Sequence, residues 1–218
     1  MEILVMLVVA APPIILAITV HEAAHAYAAD ALGDSTARQM GRLSLNPFRH
    51  IDPVGTVLLP LVLLMTTGFL FGWAKPVPVQ FGRLRNPQRD MALVGGAGPA
   101  SNLAMAVFWG LVLKISMGFS DTSSLAMIFE QMANIGVMIN LVLMVLNMLP
   151  VPPLDGSRVV VGFLSPQNAA KYLQIERHSM LVMIGLVVLI ATGYLSKILV
   201  PLVSMAKAAL FTLLGVSY

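Results

Sequence analysis

The chain has 218 residues, of which 58% are hydrophobic and only 11% are charged, whereas soluble chains carry about 25% charged residues. This composition excludes a soluble globular protein and indicates an integral membrane protein, and the net charge of +3 gives no sign of nucleic-acid binding. The lack of cysteine excludes disulfides and thiolate metal ligands, so a transition metal would need His, Asp or Glu.

The first apolar segment covers residues 3–29 and has no charged residue before its last third. It is long enough to cross a bilayer, which takes about 20 residues in a helix. A signal peptide is the alternative, but the chain begins Met1-Glu2 and lacks a positively charged n-region. We therefore predict a retained transmembrane helix, kinked or broken at Pro12 and Pro13.

Two histidines lie four residues apart near the end of this helix, in the sequence His21-Glu22-Ala23-Ala24-His25. Residues at this spacing share a helix face, so both rings can bind one metal ion while Glu22 reaches a water on that ion. Ionisable groups at membrane depth are expensive and usually functional. We predict two metal ligands and a general base; the alternative for Glu22 is a solvated carboxylate at the helix end.

An apolar segment at 54–74 lies between two polar segments that carry basic residues, 30–52 and 75–90. Because basic loops stay in the cytoplasm, both flanks are expected there. We therefore predict that 54–74 enters the membrane and returns, or lies against it. Within the flanks, 41–45 alternates like a β-strand and 75–81 is typical of an extended edge segment.

Two further spanning helices are predicted at 91–113 and 125–149. The first begins with small residues, including Gly98, that permit close helix approach in lipid. Each helix has an asparagine that should face the bundle interior, Asn102 and Asn147. These amides are expected either to make helix-to-helix hydrogen bonds or to contact the substrate backbone or oxyanion near the metal.

Asp155 follows a proline-rich turn, 150–153, that must end the preceding helix. If 54–74 does not cross the membrane, the first helix runs inward, the helix at 91–113 runs outward and the helix at 125–149 runs inward again. Asp155 then lies at the same membrane depth as His21 and His25. Catalytic zinc usually takes three protein ligands and one water, so Asp155 is the predicted third ligand. The alternative is that Asp155 only forms a turn.

The remaining histidines, His50 and His178, lie in basic loops and are predicted to be surface groups rather than ligands, although His50 is close enough in sequence to test. A further span is predicted at 180–196. The last apolar segment, 198–218, is predicted to span as well, and its proline and lysine leave an interfacial helix as the alternative.

These elements predict an all-α polytopic membrane protein. It would have a three-helix catalytic core, short cytoplasmic-side β segments, a re-entrant segment and one or two C-terminal membrane helices. A single domain is expected to cover 1–218, with the core at about 1–158 and the C-terminal helices at about 179–218.

Three motifs together resemble the site-2 protease family, which consists of intramembrane zinc metalloproteases. Residues 21–25 match its HExxH motif, 98–102 match its GxxxN motif, and 147–156 match its NxxPxPxLDG motif with one additional proline. The chain resembles the compact bacterial branch that lacks a PDZ domain. Beyond residue 178 the resemblance is generic.

This resemblance implies that one Zn²⁺ ion is held by His21, His25 and Asp155, with Glu22 as the general base. The implied substrate is a transmembrane helix of another, single-span protein, such as an anti-sigma factor or a similar regulator. The implied location is the bacterial cytoplasmic (inner) membrane, with the active site towards the cytoplasm.

A helical substrate must unwind before zinc can reach a carbonyl, because its peptide carbonyls are hydrogen-bonded internally. The segments 41–45 and 75–81 are candidates to capture the opened strand by edge addition. Two alternatives remain open. A metal transporter would not require a glutamate beside the first histidine, and a non-catalytic membrane scaffold would not bind stoichiometric zinc.

Overall fold

A computed structural model describes residues 2–58, 62, 75–119 and 124–216. Throughout this part of the chain the regular structure is helical. The α-helices are α1 (Glu2–Ala31), α2 (Thr36–Gln39), α3 (Pro87–Met117), α4 (Ser124–Asn147), α5 (Asp155–Val161), α6 (Pro166–Leu173), α7 (Ser179–Ala191) and α8 (Ser196–Leu214). Three 3₁₀ turns and one π-helical turn connect them, at Pro47–Arg49, Phe81–Arg83, Gln174–His178 and Pro53–Leu58.

Within the described residues, five helical stretches are long and apolar enough to cross a membrane, and they confirm the predicted all-α polytopic fold. They are Val8–Ala31, Pro87–Met117, Ser124–Asn147, Pro166–Ala191 and Ser196–Leu214. The last of them buries Val203, Leu210 and Phe211 in the core that α3 and α4 form. A helix packed in this way fits a span better than the interfacial alternative.

Helix α3 lies at the centre of the fold, packed against α1 and against α4. Its buried residues recur every three or four positions, for example at Val94, Gly98, Asn102, Ala106 and Trp109. This period gives a helix one continuous buried stripe. The predicted three-helix core of α1, α3 and α4 is therefore present, and helix α1 continues through both of its prolines.

The proline-rich turn ends α4 at Asn147, and α5 then begins at Asp155 and packs against α3. The chain folds back tightly here. A Cβ atom built on Gly156 would lie 2.5 Å from Leu149 O and closer still to Met148 O. Only glycine permits this approach, and the approach brings Asp155 back to the helix bundle.

The two predicted β segments do not form strands in the described part of the chain. In the first, Gly41 adopts a left-handed φ of +65° and ends α2, where the Arg42 N–H donates to Ala37 O at 2.8 Å. This is the closure of a Schellman-type helix end. In the second, 75–80 pairs with no neighbouring strand in the described part of the chain, and Pro76 and Pro78 have no N–H to offer to one, so the predicted β segments are not observed.

Side chains, rather than a strand partner, fix the segment 75–80 beside the end of α1. The Gln80 N–H donates to Asp34 Oδ2 at 2.6 Å, and Arg42 Nη2 donates to Lys75 O at 2.8 Å. Burial alone would raise the pKa of Asp34, but hydrogen bonds from Thr36 and from the Gln80 amide lower it below its usual value. Asp34 is therefore a charged anchor that holds this segment in place.

His50 also helps to hold the segment 75–80 in place, and the prediction that it is a surface group was wrong. The residue is only 2% exposed, and its Nε2–H donates to Ser44 O at 2.8 Å. The backbone carbonyl of His50 accepts from the Lys75 N–H at 2.9 Å. His178, by contrast, is exposed as predicted. The predicted re-entrant segment, 54–74, lies mostly outside the described residues.

Candidate metal centre

The two histidines of the HExxH sequence lie on one face of α1, as their spacing predicts. Helix α1 continues to Ala31, so His21 and His25 are separated by one full turn. Both side chains are buried, and their Nε2 atoms are 3.1 Å apart. Two ring nitrogens thus meet at one point inside the protein.

Asp155 brings a carboxylate to the same point. Its Oδ2 atom lies 3.1 Å from His21 Nε2 and 3.2 Å from His25 Nε2. The candidate ligand atoms of the three residues lie within 4.8 Å of one another. The sequence prediction placed these three residues at one membrane depth, and the fold brings them into contact.

The Nδ1 atom of each ring makes a hydrogen bond to a residue of α3. His21 Nδ1–H donates to Asn102 Oδ1 at 2.6 Å, and His25 Nδ1–H donates to Val94 O at 2.7 Å. Because an oxygen of either kind only accepts, the proton of each neutral ring lies on Nδ1. Each Nε2 therefore turns a lone pair towards Asp155, as in histidines that bind metals.

This donor set fits a divalent cation. Asp155 Oδ2 is buried and accepts no hydrogen bond from the described residues, and a single proton could satisfy only one of the three close contacts. Zinc bonds of about 2.0–2.1 Å in a tetrahedron separate ligand atoms by about 3.3 Å, which is near the observed 3.1–3.2 Å. Two imidazoles and one carboxylate leave the fourth position of such an ion for water.

Gly98 of α3 lies directly against the two rings. A Cβ atom on this residue would lie 2.6 Å from His21 Cε1 and 2.7 Å from His21 Nε2, and closer still to His25 Nε2. From the sequence, Gly98 was expected to allow close helix approach and to belong to the GxxxN motif. Its position shows a second requirement, since a side chain here would occupy the space where the ligand atoms converge.

Glu22 faces the same cavity as the three candidate ligands. Its Oε2 atom accepts a hydrogen bond from the Val77 N–H at 2.9 Å, so the carboxylate is held in one orientation. The side chain is half-buried. These contacts disfavour the alternative in which Glu22 is a freely solvated carboxylate at the helix end.

The cavity has a volume of about 350 Å³. One wall carries His21, Glu22, His25 and Asp155, and the segment from Pro76 to Phe81 contributes much of the rest. A water molecule occupies about 30 Å³ in the liquid, so this volume holds several waters. The cavity is therefore large enough for the water that a hydrolytic site inside a membrane protein requires beside its ligands.

The two asparagines singled out in the sequence have different surroundings. Asn102 is fully buried, and its Nδ2 donates to Asn140 Oδ1 at 2.9 Å, which favours the helix-to-helix alternative over substrate contact. Asn147 lines the cavity, and its Nδ2 donates to Leu143 O at 3.0 Å. Only Asn147 is positioned to meet a substrate, and that role stays a prediction.

Sequence reasoning missed Arg158, which also lines the cavity. Its Nη2 lies 2.7 Å from Glu176 Oε1, and its guanidinium lies over the Phe81 ring at 4.5 Å from the ring centre. Arg158 therefore connects α5 to the 3₁₀ turn at Gln174–His178 and to the cavity wall. The sequence did contain one indication of this role. Arg158 follows Asp155 by three residues, and residues at this spacing are neighbours on one face of a helix.

A bundle of apolar helices that surrounds two histidines, an aspartate and an adjacent glutamate is typical of a membrane-embedded metallohydrolase. Comparisons with known proteins agree with this class. A family model described as peptidase family M50 matches residues 113–192, a range that includes the proline turn and Asp155. A Bacillus subtilis protein described as "Putative zinc metalloprotease YwhC" is 38% identical over 202 residues, which cover 92% of this chain and 88% of that protein.

Two mycobacterial proteins, each described as "Putative zinc metalloprotease Rip2", are also similar. The Mycolicibacterium smegmatis protein is 29% identical over 175 residues, which cover 80% of this chain and 64% of that protein. The Mycobacterium tuberculosis H37Rv protein is 31% identical over 155 residues, 71% of this chain and 56% of that protein. No solved structure gives a significant match. The chain belongs to peptidase family M50, the site-2 protease family, as its three motifs predicted.

Proposed function

We propose that this protein is an intramembrane zinc metalloprotease that cleaves the transmembrane segment of another membrane protein. The observation that carries the proposal is the convergence of His21 Nε2, His25 Nε2 and Asp155 Oδ2, with Glu22 in the same cavity. Family membership supports the peptidase activity, and the apolar helices around the site support a substrate that lies in the membrane.

Each site residue has one role in the proposed reaction. His21, His25 and Asp155 would hold a single zinc ion, which would supply Lewis acidity for the scissile carbonyl and for the attacking water, whose pKa zinc lowers to about 7. Glu22 takes a proton from the attacking water at its carboxylate and later delivers it to the leaving amine. The Val77 N–H fixes the carboxylate for this transfer.

The wall segment 76–79 is our proposed surface for the unwound substrate. Pro76, Val77 and Val79 line the same cavity as the ligands, and their apolar side chains suit a peptide drawn from lipid. The Val77 N–H already donates to Glu22. Pairing with a substrate strand would therefore rely on the carbonyl groups of this segment and on the Val79 N–H, a narrower form of the edge addition expected from the sequence.

The proposed substrate is a single-span regulator of the anti-sigma-factor kind in a bacterial cytoplasmic membrane. Basic residues concentrate in 30–52, 75–90 and 158–178, and the positive-inside rule puts such segments in the cytoplasm. The active site would then open towards the cytoplasm. We propose that 1–218 acts as a single domain, because α8 packs on the same core that positions the ligands.

Cleavage in cells tests this proposal together with its orientation. A single-span protein with a cytoplasmic reporter is expected to release a soluble fragment into the cytoplasm, with its new terminus inside the membrane segment. Mass spectrometry of the fragment locates the cut. A matched substrate with a polyleucine segment should resist, because its helix unwinds less readily. A cut outside the membrane segment, or release to the outer side, would contradict the proposal.

A further inference from the structure

Asn140 lies in the middle of α4 and is fully buried among apolar residues. Its Nδ2 donates to Gly136 O, one turn earlier in the same helix, at 2.8 Å. Its Oδ1 accepts from Asn102 Nδ2 at 2.9 Å. Asn140 therefore contacts α3 directly behind the residue that holds His21, and the proposed mechanism gives it no part.

The Gly136 carbonyl decides the direction of this chain of hydrogen bonds. A carbonyl oxygen can only accept, so Asn140 must turn its Nδ2 to Gly136 and its Oδ1 to Asn102. Asn102 must then turn its Nδ2 to Asn140, which leaves Oδ1 for His21. The Ala17 carbonyl, 3.3 Å from Asn102 Nδ2, requires the same orientation of that amide.

The direction of the Asn102 amide has a chemical consequence at His21. With Oδ1 facing the ring, the neutral imidazole keeps its proton on Nδ1 and presents the Nε2 lone pair to a metal. With the amide reversed, Nδ2 would donate to Nδ1, and the ring proton would move to Nε2. In that tautomer Nε2 has no lone pair for a metal.

We propose that Asn140 is a positioning residue for the metal centre, because its 2.9 Å hydrogen bond, together with the longer one to the Ala17 carbonyl, fixes the orientation of the Asn102 amide and so the tautomer of His21. This inference rests on the proposed function, since it requires zinc at this site. It assigns a role to a residue on α4, a helix that provides none of the three ligands.

Zinc affinity of the purified full-length protein, measured by competition with a chelating dye, tests the inference. Removing partners that orient metal ligands costs about 10–100-fold in affinity. We expect Asn140→Leu and Asn102→Ala each to weaken zinc binding by about tenfold or more. Asn134→Leu is the matched control, because the Asn134 amide makes the same bond to the preceding turn, to Glu130 O at 3.1 Å. That variant should bind zinc like wild type.

The double variant separates positioning from general stability. If Asn140 acts through Asn102, then adding Asn140→Leu to Asn102→Ala should cause no further loss of affinity. An unchanged affinity of Asn140→Leu, or a full additional loss in the double variant, would overturn the inference. Should Asn140→Leu not fold, the smaller Asn140→Val gives the same comparison. Wild type that binds no zinc would instead overturn the proposed function.

Discussion

Replacement of Glu22 with Gln is expected to abolish cleavage while the protein keeps its metal. The amide oxygen of the new side chain would still accept from the Val77 N–H, as Glu22 Oε2 does at 2.9 Å, but an amide cannot take a proton from water. General acid–base catalysis contributes about 10²–10⁴-fold, and the cleavage rate should fall by that factor. Cleavage rate and zinc content should be measured on the same preparations.

Glu130→Gln is the control for this variant, because Glu130 lies near the start of α4 and is not among the residues that line the cavity. It should cleave at the wild-type rate. A Glu22→Gln protein that still cleaves normally would refute the base assignment. A metal transporter or a non-catalytic scaffold would show no cleavage even in wild type, so the same experiment distinguishes the alternative functions.

A single methyl group at residue 98 is expected to weaken metal binding strongly. In Gly98→Ala the new Cβ would lie 2.7 Å from His21 Nε2 and closer still to His25 Nε2, so the rings would have to leave the positions in which they meet Asp155. Overpacking of this kind costs about 1–3 kcal/mol, which at its upper end is about 100-fold in affinity. Zinc affinity and cleavage should fall together.

Gly96→Ala is a close control on the same helix, because among the described residues its Cβ would meet only Val159 Cγ2, at 3.9 Å. This variant should keep its zinc, its activity and its melting temperature. If Gly98→Ala bound zinc as tightly as wild type, the two rings would be free to move. The geometric case for a fixed three-ligand centre would then fail.

The membrane helices could be predicted well because lipid requires long apolar segments with internally bonded backbones. The helices expected at 91–113 and 125–149 are observed at Pro87–Met117 and Ser124–Asn147. The differences lie at the ends, where polar residues extend the first helix beyond its apolar segment and the proline turn shortens the second. Hydropathy marks the lipid-facing length of a helix rather than its full length.

The metal centre was predictable only in part. The four-residue spacing of His21 and His25 fixes their common face, whatever surrounds the helix. The contacts behind the rings depend on how α3 is rotated against α1 and α4, and a single sequence does not contain that rotation. For this reason Asn140 was not singled out from the sequence, and Gly98 was noted as a small residue of the GxxxN motif rather than as a contact of the two rings.

The strand predictions failed for a physical reason that the sequence partly contained. A strand needs a continuous series of N–H and C=O partners, and two prolines within 75–80 remove donors from that series. Two of the remaining amides bond to side chains far away in sequence, Val77 to Glu22 and Gln80 to Asp34, and the Lys75 amide bonds to the His50 carbonyl. Local alternation does not reveal such long-range contacts.

Zinc reconstitution tests the central claim most directly. Metal should be removed from the purified protein with a chelator and returned stepwise, with bound zinc and cleavage rate measured on each sample. We predict that activity is lost without metal, rises linearly with bound zinc and stops at one ion per chain, whereas Asp155→Ala does not recover at stoichiometric zinc. Cleavage by the metal-free protein, or full recovery by Asp155→Ala, would contradict a single zinc held by His21, His25 and Asp155.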